Sequence, residues 1–274
     1  MNNYISRDNY MLFNSGKVLS EPLPSIAPYT LRFLFLDDSK YYNPLNDVFD
    51  YGTWTQRSDT IWDWTYNDPI WTLPSNLTSS DTNNNYRSIF SKNGSNRLEN
   101  VKCKIIDSET SNVTNMRGLF YNMDRLEGVE KIDTSNVTDA ASMFRTAVSS
   151  AATGVGSVKY VNSTLDFRKV KYYNGTTCHG SLDHLFYTQG YSNAPYRLTT
   201  VPTILWPDIE TVGYIVNFSY MFTNQRNITN NYAGVVYPTY WQQLQTHSSW
   251  TDACYRCGDL GNATAYANIP SDLK

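Results

Sequence analysis

The chain has 274 residues, long enough for a substantial buried core, and its 22 Lys and Arg nearly balance 25 Asp and Glu. The basic residues form no block, which argues against nucleic acid or an anionic membrane surface as a partner. The longest apolar run, Leu31–Leu36, is far too short to span a bilayer. Asn, Ser, Thr and 22 Tyr dominate the polar composition, as expected of a protein that presents an exposed contact surface.

The first 29 residues are polar and close on Pro22, Pro24 and Pro28, which predicts an extended arm that docks on a partner. They hold no cationic stretch followed by an apolar run, so no secretory signal is expected and synthesis and assembly are placed in the cytoplasm. Residues 30–75 form a Trp-rich segment predicted as a β cap. Within it Trp62, Trp64 and Tyr66 alternate, so on a strand they share one face. Such a face covers the open end of a core or offers an aromatic platform to a sugar or protein, and the cap is preferred.

Residues 76–246 carry a repeated phrase. "SNVTNMRGLF" begins at Ser111 and "SNVTDAASMF" at Ser135. As helices, these phrases put Val113, Met116, Leu119 and Phe120, and then Val137, Ala140, Met143 and Phe144, on one apolar face. The same frame fits Asn83, Tyr86, Ile89 and Phe90, then His179, Leu182, Leu185 and Phe186, then Ile215, Phe218, Met221 and Phe222, with a degenerate copy at His247, Trp250, Ala253 and Cys254. The copies end at residues 90, 120, 144, 186, 222 and 254, so the intervals are 30, 24, 42, 36 and 32 residues. Between them Leu98 and Val101, Leu126 and Val129, and Leu198 and Val201, followed by Ile105, Ile132 and Ile204, predict short strands. Thr110-Ser111-Asn112 and Thr134-Ser135-Asn136 would cap the helices that follow. The expected fold is α+β, an irregular leucine-rich-repeat-like solenoid of one short strand and one short helix per coil, because a single unit cannot bury its own apolar stripe. Its core is predicted to hold the apolar frame residues from Phe90 to Phe222. The insertions Ser149–Thr164 and Tyr187–Thr200, rich in Gly, Asn and Tyr, are the expected contact loops.

The last segment, residues 247–274, is predicted to be a C-terminal cap. Cys254 and Cys257, with Cys178, His179 and His247, supply zinc-type ligands, but a second evenly spaced pair is missing and the repeat frame assigns His179, His247 and Cys254 to the core. Ser181, Asp183 and His184 crowd one helical turn and cannot face one reaction centre as a hydrolytic triad does. Asn76-Leu77-Thr78 is a glycosylation sequon, with little support in a chain lacking an export signal. No cofactor, metal or catalytic residue is assigned.

The stretches Ser108–Phe120 and Glu130–Phe144 resemble the BspA-type leucine-rich repeat, closely over residues 106–146 and more weakly over residues 30–274. The segments at 30–71 and 247–274 look like the caps of similar repeat proteins of gut bacteria and their phages. The resemblance implies a surface-exposed recognition module and contributes no catalytic residues. The function expected is that of a non-enzymatic virion surface protein of a phage, a head decoration, fibre or tail component. Its partners would be other virion proteins through the arm and a host-surface glycan or protein, with homo-oligomerisation left open. The alternatives are a bacterial cell-surface adhesin and a glycan-processing enzyme, which needs paired carboxylates about 5–10 Å apart in a cleft.

Overall fold

The computed structural model describes residues 22–72, 88–92, 95–146, 158–170, 182, 184–188, 198–200, 202–206, 221 and 225. The apolar run TLRFLF becomes strand β1 (Thr30–Phe35), buried along its whole length because strands flank it on both sides. On one side it pairs antiparallel with β3 (Ile61–Thr65), which pairs in turn with the edge strand β2 (Thr53–Gln56). On the other side it pairs antiparallel with β6 (Cys103–Glu109). Strands β7 (Leu126–Val129) and β8 (Val158–Val161) then add in parallel, giving one mixed sheet in the order β2-β3-β1-β6-β7-β8. The short pairs β4 (Ser91–Lys92) with β5 (Ser95–Asn96), and β9 (Leu165–Asp166) with β10 (Ile204–Leu205), lie outside it.

Two features fix the antiparallel half. Arg32 stands opposite Asp63 across β1 and β3, and its Nε and Nη2 reach both carboxylate oxygens at 2.7 and 3.0 Å. Arg57 adds a second cation to Asp63 at 2.7 Å, while Arg32 also donates to the Pro24 carbonyl at 3.0 Å. Both Asp63 oxygens are therefore engaged by guanidinium donors, the condition under which a buried carboxylate is tolerated. Gly52, at φ +79°, lies under the Trp64 indole so closely that a Cβ there would sit 2.1 Å from Nε1. Only glycine meets both demands.

The repeated phrase builds a second, non-sheet wall. Each copy closes tight turns within itself, as from the Leu119 N–H to the Met116 carbonyl at 3.1 Å, and donates the alternate backbone N–H groups to the copy that follows. Met116, Gly118, Phe120 and Asn122 donate to the carbonyls of Asp139, Ala141, Met143 and Arg145 at 2.8–2.9 Å. Phe144 and Thr146 donate to Leu185 and Tyr187, and Phe186 to Met221, over the same distances. Pro69–Trp71 forms the first rung, with Trp71 N–H on the Asn115 carbonyl at 2.8 Å. The rings of Phe90, Phe120, Phe144 and Phe186 consequently stack face over face, with centroids 6.4, 5.2 and 5.1 Å apart. Trp64 and Phe33 meet Phe90 edge-on at 4.7 and 5.5 Å and close that end of the column.

This arrangement overturns the expected α+β solenoid of one strand and one helix per coil. Among the described residues there is no α-helix. The two central phrases are successive turns, and the dominant element is the six-stranded mixed sheet. The physical reason lies in two positions of the phrase. Asn115 and Asp139 turn their side-chain oxygens onto the N–H groups of Arg117 and Ala141, at 2.9 and 3.0 Å, taking donors that a helix would need. Three residues further on, Gly118, Ser142 and His184 have φ of 65°, 57° and 56°, a left-handed conformation that ends any right-handed helix. The predicted caps also act differently. Thr110 and Thr134 reach across to the next copy, each exchanging hydrogen bonds with backbone groups of Asp133 and Asp166.

Candidate functional site

Among the frame residues, Phe90, Val113, Met116, Leu119, Phe120, Val137, Met143, Phe144, Leu182, Leu185, Phe186 and Met221 are all buried, whereas Phe218 and Phe222 lie outside the described residues. Trp62 and Trp64 are buried too, with indole faces turned inward, and Tyr66 is partly buried against the core. They leave no exposed aromatic platform on β3. Cys178, His179, His247, Cys254, Cys257, Ser181, Asp183 and the Asn76 sequon lie outside the described residues, as do residues 1–21 and 247–274 and most of both long insertions. His184, the one described member of its trio, packs its ring edge-on against Tyr187 at 4.9 Å. The remaining thiol, Cys103, is fully buried and its pKa is raised by that burial, the setting of an inert core cysteine. Among the described residues no three His, Cys, Asp or Glu side chains converge as metal ligands, and no helix is long and apolar enough to cross a membrane.

A concave surface among the described residues lies elsewhere. A cleft of about 490 Å³ opens between two connections, one leaving β1 and one leading into β6. The first wall carries Asp38, Ser39, Tyr41 and Tyr42, and the second Asn96, Arg97, Glu99, Asn100 and Val101. Short-range bonds hold the walls in place. The Leu36 N–H donates to the Lys102 carbonyl at 2.9 Å, and the Lys102 N–H to Ser39 Oγ at 2.9 Å. The Lys102 ammonium pairs with Asp37. Arg125, at the start of β7, straps both walls: Nη2 bonds both Asp38 carboxylate oxygens at 2.9 Å, and Nη1 bonds the Asn100 carbonyl at 3.1 Å. The Asn96 amide is tied down by the Tyr121 carbonyl at 2.6 Å and the Leu98 N–H at 2.8 Å.

The electrostatics of the lining are uneven. Arg125 holds the Asp38 carboxyl below the usual carboxylate range, chiefly through its hydrogen bond. Tyr42, packed edge-on against Phe35 at 5.1 Å and bonded to Asp47 at 2.6 Å, is raised well above an ordinary phenol, first by burial. Glu99 is also raised, by burial alone, and its carboxylate accepts no hydrogen bond from the described residues. Arg97 Nε is buried with no acceptor. Tyr41 projects from the rim, 77% exposed, with the Lys40 ammonium 4.8 Å from its ring centre. Leu45 and Val48, later in the same connection, are also exposed.

Behind the cleft, the Asp124 N–H donates to the Glu99 carbonyl at 3.2 Å. The Asp124 carboxyl is 4% exposed, its Oδ1 has no partner, and burial followed by the Glu99 charge pushes its pKa up to about 8 against the pull of the Thr146 hydroxyl. Only Glu99 of these two carboxyls lines the cleft.

Attention to the long insertions misses this site. Its available signal is Asp37-Asp38 followed by Tyr41-Tyr42 in the connection after the most apolar strand, where two carboxylates and two aromatics stand outside any repeat. Arg97, Glu99 and Arg125 join them only through the sheet order.

Residues 84–169, which hold both central phrases, match a family model described as Mycoplasma protein of unknown function, DUF285. No curated protein and no solved structure matches the chain. Over that segment, less than half its length, the chain is similar to a family described from Mycoplasma, and the similarity falls on the stacked phrases and not on the first wall of the cleft.

Proposed function

We infer that the protein is a non-enzymatic attachment protein, displayed on a surface where it meets other cells. The observation that carries this reading is the open cleft with Tyr41 exposed in its lining, on a framework made rigid by a mixed sheet and a stacked aromatic column. Large exposed apolar side chains, here Tyr41 with Leu45 and Val48 on the same connection, are a mark of a contact surface. The carrier surface we favour is a phage virion, where the protein would be a head decoration, fibre or tail component.

Two rivals have an observation each. The match of residues 84–169 to a family described from Mycoplasma favours a cellular adhesin. The coupled carboxyls of Glu99 and Asp124 favour a glycan-processing enzyme. Against the enzyme, Asp124 stands behind the cleft wall and only Glu99 of the two carboxyls lines the cleft, so the pair does not flank a common space where a glycosidic bond could sit.

Mass spectrometry of density-purified phage particles and of washed cell envelopes from one culture separates the carriers. Enrichment in particles is expected, and confinement to envelopes would assign the protein to the cell surface. Turnover of host polysaccharide that is abolished by Glu99→Gln would overturn the non-enzymatic reading.

A further inference from the structure

Three segments of the chain meet behind the cleft at one carboxyl. Asp124 lies between the first central phrase and β7, is 4% exposed, and its Oδ1 has no hydrogen-bond partner among the described residues. The Thr146 hydroxyl, from the end of the second phrase, bonds the carboxyl. The third segment is the cleft wall, residues 96–101, where the Glu99 carbonyl accepts the Asp124 N–H at 3.2 Å. A carboxyl enclosed in this way is tolerated as the neutral acid, whereas the anion needs water or a cation beside it.

The groups around Asp124 supply a like charge. Burial opposes its ionisation first, and the Glu99 carboxyl on the wall opposes it further. Tyr121, on the same turn, is raised above an ordinary phenol, also chiefly by burial. Arg145, beside Thr146, lays its guanidinium over the rings of Tyr121 and Tyr187, 6.0 and 5.1 Å from their centres. Arg125, next along the chain, bonds Asp38 and the Asn100 carbonyl in the cleft, and Arg97 acts on the Tyr42 phenol. Loss of the Asp124 proton therefore sets two carboxylates against each other on the two residues that share the 3.2 Å bond of the wall.

We propose that Asp124 is a proton-operated latch on the cleft wall. As the neutral acid it lets residues 96–101 pack against the first phrase, and as an anion set against Glu99 it loosens that wall and widens the cleft. The latch holds below about 8, where the folded carboxyl titrates, and releases above it. It regulates the cleft named in the attachment reading and rests on that reading only for its biological use, since the loosening is measurable in the purified chain.

The test is hydrogen exchange of the full chain between pH 6 and pH 9, with rates corrected for the intrinsic pH dependence of exchange and read as protection factors. The amides of residues 96–101 and of Asp124 report the wall, and those of β1 report the core. In wild type, wall protection should fall tenfold or more as pH rises, while β1 keeps its protection. Asp124→Asn should abolish the fall, and Glu99→Gln, which removes the opposing charge but not the burial, should reduce it. Constant wall protection in wild type overturns the proposal, as does a fall of equal size in Asp124→Asn. A fall shared equally by β1 would mean that the whole fold loosens, and an undiminished fall in Glu99→Gln would remove the charge opposition; either result also overturns it. Should Asp124→Asn fail to fold, wild type and Glu99→Gln still decide. Adhesion to host cells enters none of these readouts, so failure of the attachment reading leaves the latch standing, and failure of the latch leaves attachment untouched.

Discussion

The rings of Phe144 and Phe186 lie 5.1 Å apart and within 7° of parallel, each capping the other in a column that runs through the molecule. Phe144 is 1% exposed and also meets Phe120 at 5.2 Å, so its removal opens a gap between two aromatic neighbours. Phe144→Ala should destabilise by about 3–5 kcal/mol in chemical denaturation. A loss under about 1 kcal/mol would mean the column is not a core.

Ser142 holds a left-handed backbone at φ 57°, and its hydroxyl is buried without a partner. Gly118 fills the same place one phrase earlier at φ 65°. Ser142→Gly removes both the strain and the orphaned hydroxyl, offset by the greater freedom of glycine in the unfolded chain, so a net gain of about 1 kcal/mol is expected. The reverse experiment, Gly118→Ala, should cost about 1 kcal/mol. Paired thermal melts check the signs, and a destabilised Ser142→Gly variant would contradict the turn geometry.

Asp124 titrates at about 8 in the folded protein and near 4 in the unfolded chain. Between those values the native state holds a proton that the unfolded state has released, so stability is full at acidic pH and falls as pH rises toward 8. Asp124→Asn keeps the shape without the charge. It should be close to wild type at pH 3, below the unfolded value, and more stable by roughly 5 kcal/mol at pH 9. Urea midpoints across pH measure this, and parallel wild-type and variant profiles would exclude Asp124 as the source.

Gly128 stands opposite Tyr160 in the parallel register of β7 and β8, and a Cβ there would come 2.2 Å from the ring. The ring is held by its hydroxyl, which donates to Glu130 Oε1 at 2.7 Å. Gly128→Ala should therefore cost about 1–3 kcal/mol by overpacking. In the double variant Gly128→Ala/Tyr160→Ala the two losses should fall short of additive, the coupling expected of side chains in contact. Strict additivity would show that the ring moves freely aside.

The buried positions of the phrase were legible because burial leaves an apolar period whatever the backbone does. Val113, Met116, Leu119 and Phe120 carry it clearly, but i, i+3, i+6 and i+7 also describe a chain of tight turns packed on one side. The choice between helix and turn rested on Asn115, Asp139 and the left-handed site at Gly118 and Ser142, which the apolar frame does not weigh. The strand at β6 was half visible as Ile105, but its central place in the sheet depends on pairing with β1, and nothing local encodes a partner that distant. The cleft was hidden for the same reason. Asp38, Glu99 and Arg125 meet only after the sheet has brought three separated connections together.

The ring spacing within the column barely changes between Phe120–Phe144 and Phe144–Phe186, although the second pair is separated by a much longer stretch of chain. Contour length and spatial step are thus uncoupled. Residues can be added between phrases without disturbing the rungs, because each rung is specified by the phrase alone. Such a scaffold lets connecting segments diversify in length and sequence at little cost to folding.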